Sequence, residues 1–297
     1  MPVISIRLGM APVAERVEIF EVGPRDGLQN DPRHVSVAEK IALVDLLSAC
    51  GFRRIECASF VSPKWVPQMA DSAGVLAGIA RAPGVRYAAL TPNMRGLEDA
   101  LAAGADEVAV FGSASEGFSR ANINASIAES LDRFAPVVRA AQDAGLPVRG
   151  YVSCVTDCPY DGPVAPGQVA RVVAALRAMG CYEISLGDTI GQGTPDRIDA
   201  MLDTVLQEAP AGILAGHFHD TGGHALDNIE AALDRGLRVF DAAIAGLGGC
   251  PYAPGASGNV ATGSVQARLT ALGYETGLDP VALDKAAAFA RKMKGTV

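Results

Sequence analysis

His217-Phe218-His219-Asp220 carries more potential chemistry than any other short stretch of this chain. It follows the apolar run Gly212-Ile213-Leu214-Ala215-Gly216, which reads as a short buried strand. Side chains alternate along a strand, so His217 and His219 share one face and Phe218 takes the other. Two imidazoles side by side can ligate a metal ion. They can also be two histidines satisfied by hydrogen bonds at a polar strand end. A cation site needs further ligands, so oxygens must come from elsewhere in the chain.

Several segments offer them. In Glu21-Val22-Gly23-Pro24-Arg25-Asp26-Gly27-Leu28-Gln29-Asn30 a proline and two glycines bracket an Arg-Asp pair. Asp26 is a candidate hard ligand, and Arg25 a candidate partner for an oxyanion. A surface turn with a local ion pair is the plainer alternative. Glu56 sits between Ile55 and Cys57, where a carboxylate is costly unless paired, for instance with Arg25. Asn122 and Asn124 follow a long polar segment read as a loop, which either lines a substrate channel or covers the surface. Asp188, in Ser185-Leu186-Gly187-Asp188-Thr189, is read as the carboxylate behind a histidine, with a helix cap as the alternative. The stretch from Gly246 to Asn259 is rich in glycine and proline, the composition of a mobile lid. It holds Cys250, read as an exposed thiol, and ends at Asn259, a candidate amide-oxygen ligand. Together Asp26, His217, His219 and Asn259 give two imidazoles and two oxygens. That set suits Mg²⁺ or Mn²⁺ better than zinc, which favours thiolates or more nitrogen.

These residues need a scaffold. Apolar runs at 16–21, 53–57, 85–90, 106–111, 148–153, 182–186, 213–217 and 239–244 read as strands, with amphipathic helices between them. One helix is announced by Ser36 and Glu39, a capping box, and stopped before Gly51. Another starts at Asp279-Pro280. Alternating strands and helices imply a parallel sheet. Eight such units predict one closed (β/α)8 barrel domain over residues 1–297, with a mobile glycine-rich loop after the eighth strand. The alternative, an open doubly wound sheet, lacks a G-x-G-x-x-G after its first strand. A barrel places its chemistry at the C-terminal strand ends, so the residues above must converge there.

The net charge of −8 argues against a nucleic-acid partner. No apolar run reaches the roughly 20 residues of a membrane helix, and Met1 to Arg7 lacks a secretory pattern. Six scattered cysteines without zinc-finger spacing read as reduced thiols, which suggests the cytoplasm.

Long motifs resemble the 3-hydroxy-3-methylglutaryl-CoA lyase family. They are the 21–30 segment, Ser59-Phe60-Val61-Ser62-Pro63-Lys64-Trp65-Val66-Pro67-Gln68-Met69, Gly150-Tyr151-Val152-Ser153-Cys154, residues 180–191 and residues 246–259. The resemblance implies a TIM barrel whose last loop closes over the site. It implies a divalent cation on Asp26, His217, His219 and Asn259, substrate contacts from Arg25, and a requirement for Glu56. It makes Cys250 the catalytic thiol. Gln29 and Asn122 are expected beside the substrate, and a homodimer or homotetramer is expected. The implied reaction is retro-Claisen cleavage of a CoA thioester to acetyl-CoA and acetoacetate, as in leucine degradation. His217 is expected to take the C3 hydroxyl proton, with Asp26 or a water as alternatives. The family's Leu-Ala-Thr-Glu is Val260-Ala261-Thr262-Gly263 here, Gly222-Gly223-His224 replaces Tyr-Gly-Gln, and Phe218 stands where cysteine is common. The missing carboxylate at Gly263 keeps a longer 3-alkyl substrate, such as an isohexenyl one, in view. A related Claisen-condensing acyltransferase is the further alternative.

Overall fold

Runs of β-branched and aromatic residues pair as strands, and the amphipathic segments between them cover the sheet from outside. The structure is a computed structural model that describes residues 14–250 and 253–294, with backbone alone for 249–250, 253–257 and 294. Residues 1–13, read above for a secretory pattern, lie outside the described residues, as do Pro251 and Tyr252 of the glycine-rich loop.

Eight strands form the barrel: β1 (Glu18–Glu21), β2 (Arg54–Ser59), β3 (Arg86–Leu90), β4 (Glu107–Ser113), β5 (Val148–Ser153), β6 (Glu183–Asp188), β7 (Leu214–Phe218) and β8 (Val239–Ala242). All pair in parallel, in the closed order β1-β8-β7-β6-β5-β4-β3-β2. Each strand begins and ends within two residues of its run in the sequence. The (β/α)8 barrel is therefore the observed fold.

Local chemistry explains the helix ends. Helix α1 (Val37–Ser48) opens with Ser36 Oγ accepting from Glu39 N at 3.3 Å, while Glu39 Oε2 accepts from Ser36 N at 3.0 Å. Gly180 ends a later helix, Pro166–Met179, at φ 98°, which a side chain would resist. The last helix, Pro280–Lys294, begins where Asp279 Oδ1 accepts from Val281 N at 2.8 Å. Among the described residues no helix is long and apolar enough to cross a membrane.

One segment differs from the sequence reading. The polar stretch after β4 is a helix, Glu116–Ile123, rather than a loop. Ser115 Oγ caps it by accepting from Phe118 N, and Asn124 ends it in the left-handed region at φ 49°. Two turns of helix are too short for a clear apolar period. The glycine-rich stretch after β8 forms an antiparallel hairpin, Gly249–Cys250 against Ala253–Ser257.

An apolar shell between strands and helices holds Ile19, Leu47, Ile55, Val110, Leu186 and Phe240, all buried. The barrel interior is different. Residues two apart on a strand face the same way, and inward positions carry charge. Arg54 bonds Glu18 at 2.7 Å and Glu183 at 2.8 Å. Arg149 bonds the same Glu183 oxygen at 2.6 Å and holds Asp241 with two bonds, at 2.7 and 3.0 Å. Its guanidinium lies between Phe20 and Tyr151, with its carbon 4.6 and 4.8 Å from the two ring centroids. Barrel interiors more often stack branched apolar residues; here ion pairs fill the axis.

Removing one member strands its partners. Arg149→Met is expected to destabilise the fold by about 3–5 kcal/mol, because Asp241 and Glu183 stay buried without their cation. A shift below about 1 kcal/mol in urea unfolding would show that Asp241 and Glu183 do not need Arg149 to remain buried.

Candidate active site

At the end of β1 the chain turns back sharply. Pro24 fixes φ, and three backbone N–H groups converge on Val22 O: Arg25 at 3.2 Å, Asp26 at 2.8 Å and Gly27 at 3.3 Å. This single π-helical turn carries Arg25 and Asp26 at the C-terminal mouth of the barrel. A side chain on Gly27 would place Cβ 2.7 Å from Leu247 Cβ, so glycine lets this turn meet the segment that follows β8.

Arg25 is buried. Its Nε donates to Glu56 Oε2 at 2.7 Å, its Nη2 lies 2.5 Å from the same oxygen, and Nη1 donates to Asp26 Oδ1 at 2.7 Å. Glu56 reaches it from β2 and is fully buried, with Oε1 left unpartnered. Burial pushes the Glu56 carboxyl up against the pull of Arg25. Burial would raise Asp26 too, but Arg25, then His217 and His219, and the Asn259 amide hold it at about 2.

His217 and His219 project from the end of β7, with ring centroids 5.3 Å apart. His217 Nδ1 lies 3.1 Å from Asp241 Oδ2. Burial disfavours an ionised Asp241, yet Arg149 and His217 keep its carboxyl well below the usual range. A carboxylate only accepts, so Nδ1 carries the proton and Nε2 is the free lone pair. Burial lowers the proton affinity of His217, while Asp241 and then Asp26 lift it above the ordinary value. His219 goes the other way, down to about 4, through burial and the neighbouring His217. Its Nδ1 is buried without a hydrogen-bond partner.

Asn259 pairs with His219 through an antiparallel bridge. Its Nδ2 donates to Asp26 Oδ2 at 2.7 Å, and among the described residues no hydrogen bond engages Asn259 Oδ1. The donor atoms of Asp26, His217 and His219 all lie within 4.8 Å of one another. The fold thus gathers Arg25, Asp26, Glu56, His217, His219 and Asn259 from four strand ends and their loops.

The other expected residues are placed differently. Asp188 is not the carboxylate behind a histidine. Its oxygens accept from Thr156 Oγ1 and Gly193 N, both at 2.8 Å, and so pin the loops after β5 and β6. Asp241 takes the position beside the histidine, because β8 pairs with β7 in a register that sets Asp241 opposite His217. The available signal was a lone carboxylate in the apolar strand Val239-Phe240-Asp241-Ala242, the same signal that Glu56 gives. Gln29 lies just after the site turn, with Oε1 buried and unpartnered. Asn122 is exposed on its helix, and among the described residues no hydrogen bond joins it to the cluster. The Cys250 backbone lies in the hairpin, and its thiol is outside the described atoms.

The model of the HMGL-like family matches residues 16–289. The chain belongs to the HMGL-like family. It is 58% identical over 269 residues to the 3-hydroxy-3-isohexenylglutaryl-CoA/hydroxymethylglutaryl-CoA lyase of Pseudomonas aeruginosa, covering 91% of this chain and 90% of that protein. The crystal structure of HMG-CoA lyase from Brucella melitensis matches with a TM-score of 0.94 at 62% identity, over 95% of this chain and all of that one. An HMG-CoA lyase from Acinetobacter baumannii, solved in complex with coenzyme A and 3-methylmalate, matches with a TM-score of 0.90 at 36% identity, over 96% of this chain and 93% of that one.

Within this family frame, Gly263 loses its significance for the acyl pocket. It is exposed near the start of the helix Thr262–Ala271, and an added Cβ would meet nothing within 4 Å. A glutamate there would extend into open space.

Glu21, missed by sequence reasoning, binds three site segments together. Its Oε1 accepts from Gly23 N and Ile244 N, each at 2.8 Å, and Oε2 accepts from Thr262 Oγ1 at 2.7 Å. Burial raises its pKa from 4.5 to about 7. The folded state therefore keeps the proton longer than the unfolded chain. Its stabilising contribution is complete below pH 4.5 and is lost as pH rises to 7. The stability of the wild type relative to Glu21→Gln should accordingly fall by about 3 kcal/mol between acid and neutral pH. Urea midpoints of both proteins across that range would measure it, and a constant difference would refute the raised pKa.

Proposed function

We propose that this protein cleaves 3-hydroxy-3-methylglutaryl-CoA to acetyl-CoA and acetoacetate with the help of a divalent cation, Mg²⁺ or Mn²⁺. The observation that carries the reading is the convergence of Asp26, His217 and His219 beside a buried Arg25 at the barrel mouth. The donor set fits a hard cation: one carboxylate, the amide oxygen of Asn259, and imidazoles of which one has an orphaned buried nitrogen. Asp26, His219 and Asn259 would hold the ion, with His217 completing the set before substrate binds. Bound there, the cation would lower the pKa of the substrate's C3 hydroxyl.

The hydroxyl proton is assigned to His217. Asp241 holds its Nδ1, which leaves Nε2 as the lone pair that can take a proton. Asp241 then offsets the imidazolium charge. Breaking the C2–C3 bond leaves acetoacetate and the enolate of acetyl-CoA. Arg25 balances the enolate oxygen, and it cannot lose its own proton. Glu56 clamps the guanidinium in place through one shared oxygen. The proton that completes acetyl-CoA is assigned to the Cys250 thiol, on the family resemblance. Free thiols at the five described cysteines support a reducing compartment such as the cytoplasm.

One observation favours a second substrate. The Pseudomonas aeruginosa relative is named for both an isohexenyl and a methyl substrate. A longer 3-alkyl homologue belongs in the same assay.

Purified protein with 3-hydroxy-3-methylglutaryl-CoA, Mg²⁺ or Mn²⁺ and a thiol should release acetoacetate. EDTA should abolish the release and added metal restore it. Cleavage that EDTA does not touch would remove the metal from the proposal; no acetoacetate, with cation bound, would reject the methyl substrate. Arg25→Gln should lose ~100- to 1000-fold in kcat, the usual effect of deleting an oxyanion donor. A loss below about tenfold would take that role away from Arg25.

A further inference from the structure

Tyr151 stands two residues beyond Arg149 on β5, so both side chains enter the barrel. Its ring is held on several sides. The Arg149 guanidinium carbon lies 4.8 Å from the ring centroid and that of Arg25 5.8 Å. The His217 ring meets it edge-on, with centroids 6.2 Å apart and planes at 84°. Tyr151 is only 8% exposed, and its hydroxyl is buried without a hydrogen-bond partner among the described residues.

A buried phenol ordinarily finds an acceptor, because leaving it unpaired is costly. Most of the surroundings offer hydrogens or occupied oxygens, and Glu56 Oε1, also without a partner, makes no hydrogen bond to the hydroxyl. Arg25 and Arg149 are donors only. Glu56 Oε2 and Asp26 Oδ1 are taken by Arg25, and both oxygens of Asp241 are taken by Arg149. A phenol hydroxyl carries a hydrogen and can donate it.

We propose that the Tyr151 hydroxyl is a catalytic donor to the thioester oxygen, sharing with Arg25 the charge that builds on it as the acetyl-CoA enolate forms. Arg25 lies over the Tyr151 ring, so the two groups line the same part of the site. Its Nε is spent on Glu56 and one Nη1 hydrogen on Asp26, so a second donor is needed to surround an oxyanion. Paired donors from different elements are the usual solution. This inference rests on the lyase reading above and adds a residue to it.

The test is Tyr151→Phe, which removes one oxygen and no protein hydrogen bond. Its thermal midpoint should match or exceed that of the wild type, since an unsatisfied polar atom is lost. Two rates are compared with the wild type: cleavage of 3-hydroxy-3-methylglutaryl-CoA, and exchange of the C2 protons of acetyl-CoA with D₂O, followed by NMR. Acetyl-CoA has no C3 hydroxyl and no free carboxylate, so exchange isolates the thioester oxygen. Both rates should fall on the order of 100-fold, with Mn²⁺ affinity, read by electron paramagnetic resonance, unchanged within about twofold. Exchange at the wild-type rate overturns the assignment; slowed cleavage alone would move the hydroxyl to another substrate oxygen. Loss of Mn²⁺ affinity along with both rates would make Tyr151 a support for His217, and also overturns it. A wild type that cleaves neither the methyl substrate nor its longer homologue removes the lyase reading and this inference together.

Discussion

The Arg149–Asp241 pair lies at the centre of this structure. Two bonds, at 2.7 and 3.0 Å, join fully buried side chains inside the barrel. Taking both charges from water is expensive, and their mutual attraction offsets that cost only with good geometry and further bonds. Those further bonds organise everything around the pair. Ser185 donates to Asp241, Glu183 links Arg149 down to Arg54, and Phe20 and Tyr151 flank the guanidinium. Upward, Asp241 holds His217 Nδ1 and so decides which nitrogen faces the barrel mouth. An apolar filling of the same volume would stabilise a barrel as well or better. It would leave the His217 ring free to turn and to choose either tautomer. The ion pairs therefore serve orientation more than stability.

The same logic governs the rim. Arg25, Asp26 and Asn259 come from segments more than two hundred residues apart, yet bonds of 2.7 Å connect them in series. Glu21 gathers Gly23, Ile244 and Thr262 beneath that series, so the turn after β1, the segment after β8 and the helix beyond Asn259 cannot drift independently. Fixed dipoles and charges stabilise a developing charge without reorganising at the moment of reaction. A guanidinium held by Glu56 and Asp26 meets that requirement better than a mobile surface arginine would.

The barrel was readable because each strand announces itself locally and its neighbours follow from chain order. The metal-ligand candidates were readable too. His217 and His219 show the period of a strand, and Asp26 and Asn259 sit in turns at strand ends, where barrels place their chemistry. What stayed hidden depends on register between strands. Asp241 meets His217 because β8 and β7 align those two residues, and no local pattern states that alignment. Asp188 had the better sequence position, at the end of β6, but its carboxylate is consumed by Thr156 and Gly193. Arg149 and Tyr151 read as ordinary strand residues. Only closure of the barrel shows that they face inward, one saturated with hydrogen bonds and the other with a hydroxyl that makes none among the described residues.

That contrast extends over the whole site. Eight buried side-chain atoms lack hydrogen-bond partners among the described residues, and four of them belong to Gln29, Glu56, Tyr151 and His219. Deeper in the barrel Arg54, Arg149, Glu183 and Asp241 are all paired, and only Glu107 Oε2 is left without a hydrogen bond. Unpaired buried groups cost stability and are normally few. Random packing faults would scatter through the core. Half of these instead belong to the turn after β1, to β2 and β5, and to the residue just after β7, and they mix acceptors with a donor. A ligand rich in oxygen and hydroxyl groups supplies the complementary set, whereas an apolar ligand would leave each group unsatisfied and bind poorly. Apart from His219, whose nitrogen also suits the cation, the unmet hydrogen bonds thus favour a polar ligand over an apolar one.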